Sequence, residues 1–175
     1  MPDEVSQTGS PKGRDEVDDI VAAWHRERPD LDVSPLEVLS RVSRLARHLD
    51  RARSQSFSAH GLEAWEFDVL AALRRAGGAH ELSPGRLLQQ TLVTSGTMTN
   101  RIDRLTARGL VERHPDPDDR RGVIVSLTDD GAARADAALS DLLTQERAIL
   151  AGLPESERKV LSDLLRQLVL PFDHA

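Results

Sequence analysis

The chain has 175 residues, of which 39% are hydrophobic and 30% charged, with a formal net charge of -6; this is the composition of a globular protein that can bury one core. It contains no cysteine, which excludes disulfide scaffolds, cysteine nucleophiles and thiol-based redox sensors. Its apolar runs are too short to span a membrane, and its polar, acidic start differs from a secretory signal, so we expect a cytoplasmic protein without a membrane partner.

The N-terminal part of the sequence combines a polar tail with two predicted helices. Residues 1–14 are rich in Pro, Gly, Ser and Gln and are expected to be a disordered tail. Apolar residues at helical spacing predict a short helix over about 15–28, which a proline ends. A Ser-Pro pair then begins a long predicted helix over about 34–54, and a polar break follows at 54–60.

Three shorter helices follow, and the last two form a helix-turn-helix candidate. The first is predicted over about 62–75 and is closed by a Gly-Gly pair. The second runs from a Ser-Pro pair to about Gln90, and the third runs from a Thr94 or Ser95 cap to about Arg108. Two short helices joined by a tight turn can place the second one in the major groove of DNA.

The third of these helices carries residue types that read DNA. Short hydroxyl and amide side chains near a helix start can approach phosphates and base edges, and Asn and Arg can form paired hydrogen bonds with adenine or guanine. The candidate DNA-binding residues of this helix are Ser95, Thr97, Thr99, Asn100 and Arg104.

A charged hairpin and two more helices complete the chain. Strands are predicted over about 110–113 and 123–127, and the turn between them holds Arg120 and Arg121, which can enter the minor groove of DNA. Helices are then predicted from a Thr128 cap to about Gly152 and over about 155–170, the second with an apolar stripe. The order of elements predicts a mainly α fold with a small β-hairpin wing, a winged helix-turn-helix.

The wing resembles that of a known family of regulators. The segment DRRGVIVSLT, residues 119–128, matches throughout the signature D-x-R-x-x-x-V-x-L-T of the multiple antibiotic resistance regulator (MarR) family. The resemblance covers about residues 35–170. It implies an intertwined homodimer that binds a pseudo-palindromic site on double-stranded DNA and is released by a small molecule. Such a regulator is usually a repressor, and the sequence leaves activation open.

The resemblance also assigns functions to segments of the chain. Residues 15–58 are expected to contribute to a ligand pocket and to dimerisation. Residues 59–128 are expected to form the winged helix-turn-helix domain that binds DNA, and residues 129–175 the C-terminal dimerisation helices.

Four residues are similar to ligand-binding positions of the urate-responsive branch of that family. That branch uses a Trp from an added N-terminal helix and an Arg on the recognition helix. It also uses an Asp and an Arg seven residues apart on the helix that precedes the helix-turn-helix. The matching residues here are Trp24, Asp68, Arg75 and Arg101. Two guanidiniums and an indole suit a flat anionic heterocycle or a polycarboxylate. The implied ligand is urate, or a tricarboxylate such as citrate or aconitate.

Less specific interpretations of these residues stay open. Asp68 could form an ordinary ion pair with Arg75 or Arg101, Arg101 could contact a phosphate, and Trp24 could simply anchor its helix. The alternative function is an architectural DNA-binding dimer without a ligand.

Enzymatic activity is not expected. The six histidines are scattered without metal-ligand spacing, and the sequence has neither a nucleophile elbow nor a phosphate-binding glycine loop. The sequence therefore predicts no catalytic residue, no metal ligand and no cofactor.

Overall fold

The structure, a computed structural model, describes residues 13–91, 94–117, 119 and 122–172. Residues 1–12 of the predicted tail lie outside the described residues. The mainly α fold with a small wing is confirmed. The described elements are α1 (Glu16–Glu27), α2 (Ser34–Ala59), α3 (Ala64–Arg75), β1 (Glu81–Leu82), α4 (Pro84–Thr91), α5 (Ser95–Ala107), β2 (Val111–Pro115), β3 (Val123–Leu127), α6 (Asp129–Ile149) and α7 (Glu155–Val169).

The chain divides into two compact units, residues 1–49 and 50–175. This division concerns contacts within one protomer, so the functional segments 15–58, 59–128 and 129–175 stay a prediction. No helix in the part of the chain that the structure describes is both long and apolar enough to cross a membrane.

In the first unit, helix α1 packs against the start of α2 through a small apolar cluster and several ion pairs. The Asp15 side chain caps α1 by accepting hydrogen bonds from the backbone N–H groups of Val17 and Asp18. Arg41 of α2 donates to Asp15 at 2.9 Å and to Asp18 at 2.8 Å. The hydrogen bond from Arg41 lowers the pKa of Asp15. The buried residues of the cluster are Val17, Val21 and Val33.

The polar break predicted at 54–60 is wrong, because α2 continues to Ala59. Ser56 is buried, and its hydroxyl accepts a hydrogen bond from Gln145 Nε2 at 2.8 Å. The neighbouring Phe57 ring stacks on Phe67 of α3 with centroids 4.0 Å apart. Partners distant in sequence therefore satisfy a polar segment that would otherwise favour a loop.

Helix α3 forms the centre of the second unit. Val69, Leu70, Ala72 and Leu73 are fully buried, because α3 packs against α4, the sheet and α6. The other apolar side chains of this core with less than 2% exposure include Phe57, Leu87, Met98, Ile102, Leu105, Leu110, Val111 and Val125.

The predicted hairpin is confirmed, and a third strand joins it. β2 and β3 are antiparallel, with Val111 opposite Leu127. The two residues of β1 pair with β3 on its other side, giving the order β1-β3-β2. A two-residue strand is too short to show the alternation by which strands are predicted.

The wing is joined tightly to α6. Gly109 ends α5 with a φ of +69°, a conformation that favours glycine. The Thr128 hydroxyl donates to the Gly109 carbonyl at 2.8 Å and accepts from the Gly131 N–H at 3.0 Å. A Cβ at Gly131 would lie 2.1 Å from the Leu110 carbonyl oxygen, so only glycine permits this approach. The contacts hold the end of α5, the wing and the start of α6 together.

Candidate functional site

Helix α5, the candidate recognition helix, has one buried and one exposed face. Met98, Ile102 and Leu105 recur every three or four residues and are at most 1% exposed. Packing of this apolar face turns the opposite face toward solvent. All five residues of α5 predicted to contact DNA are exposed: Ser95, Thr97, Thr99, Asn100 and Arg104.

The side chains of two of the predicted DNA-binding residues form hydrogen bonds within α5 and its cap. Thr94 caps α5 by accepting from the Thr97 N–H, and the two hydroxyl oxygens are 2.8 Å apart. The Thr99 hydroxyl donates to the Ser95 carbonyl at 3.2 Å. The side chains of Ser95 and Asn100 form no hydrogen bond with another described residue. These two side chains are therefore the most available for a partner outside the chain.

Arg104 lies in a polar cluster with residues at the start of α3. Its guanidinium donates to Glu63 Oε1 at 2.8 Å and lies 4.6 Å from the centre of the Trp65 ring. Arg101 lies over the same ring at 5.4 Å. Trp65 Nε1 donates to Glu63 Oε2 at 2.6 Å. This hydrogen bond, together with Arg104, holds the pKa of the Glu63 carboxyl below its usual range.

The cluster borders an open groove of about 600 Å³ beside the exposed face of α5. The groove joins the start of α3 to the recognition helix. The side chains that line it include Glu63, Trp65, Thr97, Asn100, Arg101 and Arg104.

The wing arginines predicted to enter the minor groove, Arg120 and Arg121, lie outside the described residues. On either side of them, the Gly122 N–H donates a hydrogen bond to the Asp119 carbonyl at 2.8 Å. In the middle of β2, Arg113 pairs with Asp103 of α5 at 2.6 Å. This ion pair ties the wing to the recognition helix.

An ion pair between a buried glutamate and a partly exposed arginine joins α3 to the end of α5. Glu66 is fully buried, and its Oε2 accepts from Arg108 and from the Glu63 N–H at 2.9 Å. Arg108 also donates to the Gly61 carbonyl at 2.6 Å. Glu66 Oε1 has no hydrogen-bond partner among the described residues. This pair could not be predicted from the sequence, because a glutamate within an amphipathic helix is normally exposed.

A cavity of about 230 Å³ lies between α3 and α6, near the end of α2. Arg74 forms two 3.0 Å hydrogen bonds with Asp136, and they lower the pKa of that carboxyl. The residues lining the cavity are Arg53, Phe67, Ala71, Arg74, Arg75, Ala135, Asp136, Leu139 and Leu142. The cavity therefore combines apolar walls with three guanidinium groups.

The structure places the predicted ligand residues of the second unit at two locations. Arg75 lines the cavity between α3 and α6 and forms no ion pair with a described residue. Asp68 pairs at 3.1 Å with Arg53, which lines the same cavity, and not with Arg75 or Arg101. Arg101 lies instead in the groove beside α5. Arg53 was missed because it lies just before the segment taken for a polar break.

Trp24 belongs to the first unit, where its side chain is 48% exposed. It lines a shallow apolar depression with Leu31, Val33 and Leu36. Within the described ranges, no group of three His, Asp or Glu side chains is arranged to hold a metal ion.

Two curated relatives match most of the chain. The HTH-type transcriptional regulator PecS of Dickeya dadantii is 41% identical over 150 residues, covering 86% of this chain and 90% of PecS. The HTH-type transcriptional repressor NicR of Pseudomonas putida is 34% identical over 143 residues, covering 79% and 89%.

Solved structures share the fold. A mutant of MarR from Escherichia coli, complexed with operator DNA, has a TM-score of 0.63 and 30% identity, covering 79% of this chain and 99% of MarR. BpsR of Bordetella bronchiseptica, whose DNA binding is regulated by 6-hydroxynicotinic acid, has a TM-score of 0.62 and 30% identity, covering 75% and 91%.

Residues 60–122, from the residue after α2 to the residue before β3, match the profile of the MarR family. This segment contains the helix-turn-helix and the polar face of α5. Together with the PecS match over most of both sequences, it shows that the chain belongs to the MarR family of transcriptional regulators and is not an enzyme.

Proposed function

We propose that the protein is a homodimeric repressor that acts in the cytoplasm, binds a pseudo-palindromic operator and releases it when a small anion binds. The exposed polar face of α5, beside a hairpin wing, is the observation that carries this proposal. A recognition helix in the major groove would account for the exposure of Ser95 and Asn100, and Arg121 of the wing is assigned to the minor groove. The MarR structure solved with operator DNA, which shares this fold, supports operator binding by this chain.

The C-terminal helix supports the homodimer. Helix α7 buries none of its residues within the protomer, although it carries an apolar stripe. A contiguous apolar surface of this kind marks a protein interface. The exposed apolar residues on α7 are Val160, Leu164, Leu165, Leu168 and Val169.

The cavity between α3 and α6 is the proposed ligand site. Its volume of about 230 Å³ is below the roughly 300 Å³ at which sites for drug-sized ligands begin, which suits a small compound. An anion bound by Arg53 and Arg75 would compete with Asp68 for Arg53. Urate is the first candidate ligand and a tricarboxylate the second. Trp24 and Arg101, which lies in the groove beside α5 and does not line this cavity, stay proposed ligand residues on the family resemblance alone.

The test is a gel-shift titration with the DNA upstream of the gene for this protein, with and without urate or citrate. Specific binding that one compound releases supports the regulator and selects its ligand. Specific binding that neither releases supports the architectural alternative or another ligand. If no DNA is bound specifically, the proposed function is wrong.

Replacing the wing arginine, Arg121→Ala, is expected to weaken binding to all DNA sequences. The slope of the logarithm of the binding constant against the logarithm of the salt concentration is expected to become shallower by about one unit. The physical reason is the loss of one cationic contact with DNA. Fluorescence anisotropy over a range of salt concentrations measures both quantities. Arg14→Ala, which removes the same charge outside the reader, is the control, and equal behaviour of the two variants would contradict the wing assignment.

Replacing the cavity arginine, Arg75→Ala, is expected to leave operator affinity unchanged and to weaken the response to the ligand at least about tenfold, the effect of losing one charge-assisted hydrogen bond. The measurement is the concentration of urate or citrate that releases half of the bound operator. Arg147→Ala, at the end of α6, is the matched control. Weakened DNA binding with a normal ligand response would reverse the role assigned to Arg75.

A further inference from the structure

The Glu63 carboxylate lies between two hydrogen-bond donors beside the recognition helix. Trp65 Nε1 donates to one of its oxygens at 2.6 Å, and Arg104 donates to the other at 2.8 Å. Each donor is thus directed at a single planar anion. The Glu63 and Arg104 side chains are 58% and 53% exposed, so solvent and other solutes can reach this contact.

The Trp65 ring fixes the position of the basic groups. The guanidinium carbons of Arg104 and Arg101 lie 4.6 Å and 5.4 Å from its centre, within the range of cation–π attraction. Thr97 and Asn100, which belong to the exposed face of α5, line the same groove. A DNA backbone that follows this face would therefore pass the indole and both guanidiniums.

An indole N–H and a guanidinium are donors of the kind that contact DNA phosphates. A phosphate offers two oxygens in place of the two carboxylate oxygens. Because exposed ion pairs contribute little free energy, a phosphate can replace the carboxylate when DNA is bound. The lowered pKa of Glu63 keeps its side chain negatively charged at neutral pH, so the carboxylate then repels the incoming phosphate.

We propose that Trp65 Nε1 and the Arg104 guanidinium form a binding site for one backbone phosphate of DNA, and that the Glu63 carboxylate occupies this site in the free protein and competes with DNA. This inference rests on the proposed function, since it requires α5 to bind DNA. Glu63 then limits the affinity for every DNA sequence, because a phosphate carries no sequence information. A residue of the DNA-binding surface therefore lowers the affinity of that surface for DNA.

The variant Glu63→Gln tests the competition. It keeps the length of the side chain and its carbonyl acceptor but removes the charge, and the backbone N–H of residue 63 can still donate to Glu66. We expect specific and non-specific DNA to bind about three- to tenfold more tightly. The slope of the logarithm of the binding constant against the logarithm of the salt concentration should become steeper by up to about one unit. Glu157→Gln on α7 is the matched control, because it makes the same change in net charge outside the reader.

A second pair of variants tests the donors. Trp65→Phe keeps an aromatic ring but removes the indole N–H, and it is expected to weaken binding to all DNA sequences about three- to tenfold. In an Arg104→Ala background, the gain from Glu63→Gln should fall to less than half, since one donor of the site is gone. Anisotropy titrations measure the affinities, and circular dichroism melting checks that each variant is folded.

The outcomes separate this inference from the proposed function. If the wild-type protein binds no DNA, the proposed function is wrong. If the wild-type protein binds DNA but Glu63→Gln binds no more tightly than Glu157→Gln, Glu63 does not compete with DNA. The proposed function as a DNA-binding regulator is then unaffected. If Glu63→Gln does not fold, Trp65→Phe decides, because unchanged DNA affinity in that variant overturns the phosphate site.

Discussion

Replacing Arg108 by alanine is expected to lower the free energy of unfolding by about 3 kcal/mol, the low end of the range for removing one partner of a buried ion pair. Glu66 is fully buried and Arg108 is its only cationic partner among the described residues, so the variant leaves a buried carboxylate without a counterion. The estimate is at the low end because the Arg108 side chain is 37% exposed. Urea denaturation at one fixed protein concentration measures the change, since dimerisation would also contribute to stability.

The control for Arg108 is Arg134→Ala. Arg134 pairs with Asp130 one helical turn away on the surface of α6, and such pairs contribute about 0.5 kcal/mol. Adding Glu66→Gln to Arg108→Ala removes the buried charge and is expected to recover part of the lost stability. If Arg108→Ala is no more destabilising than Arg134→Ala, Glu66 is not a charged group that depends on this arginine.

Local signals in the sequence were sufficient to predict most helices and both wing strands. Thr94, one of the two residues expected to cap α5, does so, and Thr128 caps α6 as expected, because a capping hydroxyl acts on backbone groups only a few residues away. Strand β3, Val123–Leu127, has the predicted bounds. What these features share is that their partners are near in sequence.

The features that the sequence did not reveal depend on distant partners. The end of α2 is helical although its sequence is polar, because Gln145 satisfies Ser56 and Phe67 packs on Phe57. The buried Glu66 carboxylate is paired with Arg108, which lies 42 residues further along the sequence. No periodicity within a single helix can reveal such contacts.

The candidate ligand site shows the same limit. Helical geometry alone predicts that Asp68 and Arg75 share one face of α3, since they are separated by about two turns. The identity of the ion-pair partner of Asp68 requires the packing of α2 on α3, which places Arg53 there. Sequence could thus indicate which face of α3 is polar, but not which arginine meets it.

The location of the cavity gives the proposed ligand a route to the DNA-binding elements. The cavity lies between α3 and α6, and Arg74 and Asp136 pair across the same two helices. Helix α6 is joined to the wing through Thr128 and Gly131, whereas α3 is joined to α5 through Glu66 and Arg108. Because the end of α5, the wing and the start of α6 are held together, a ligand that changes the separation of α3 and α6 would shift this assembly relative to α3. Release of DNA requires only that the ligand bind this second arrangement more tightly.

Placing a charge on the apolar stripe of α7, with Leu168→Glu, is expected to weaken the proposed homodimer by on the order of a hundredfold, because a carboxylate would have to be buried without a partner. Leu168 is 50% exposed in the protomer and packs in no described core, so the fold of the protomer should be preserved. Sedimentation equilibrium measures the dissociation constant of the dimer, and circular dichroism measures helix content.

Gln167→Glu is the matched control, because it introduces the same carboxylate at the adjacent position, about 100° around α7. We expect Gln167→Glu to remain dimeric, whereas Leu168→Glu loses the dimer and with it most of its operator affinity. Two linked readers bind two half-sites with an effective concentration that separate readers lack, so monomers bind the operator far more weakly. Dimeric Leu168→Glu would show that the apolar stripe of α7 is not the dimer interface. Monomeric Leu168→Glu with full operator affinity would show instead that a single reader suffices for binding.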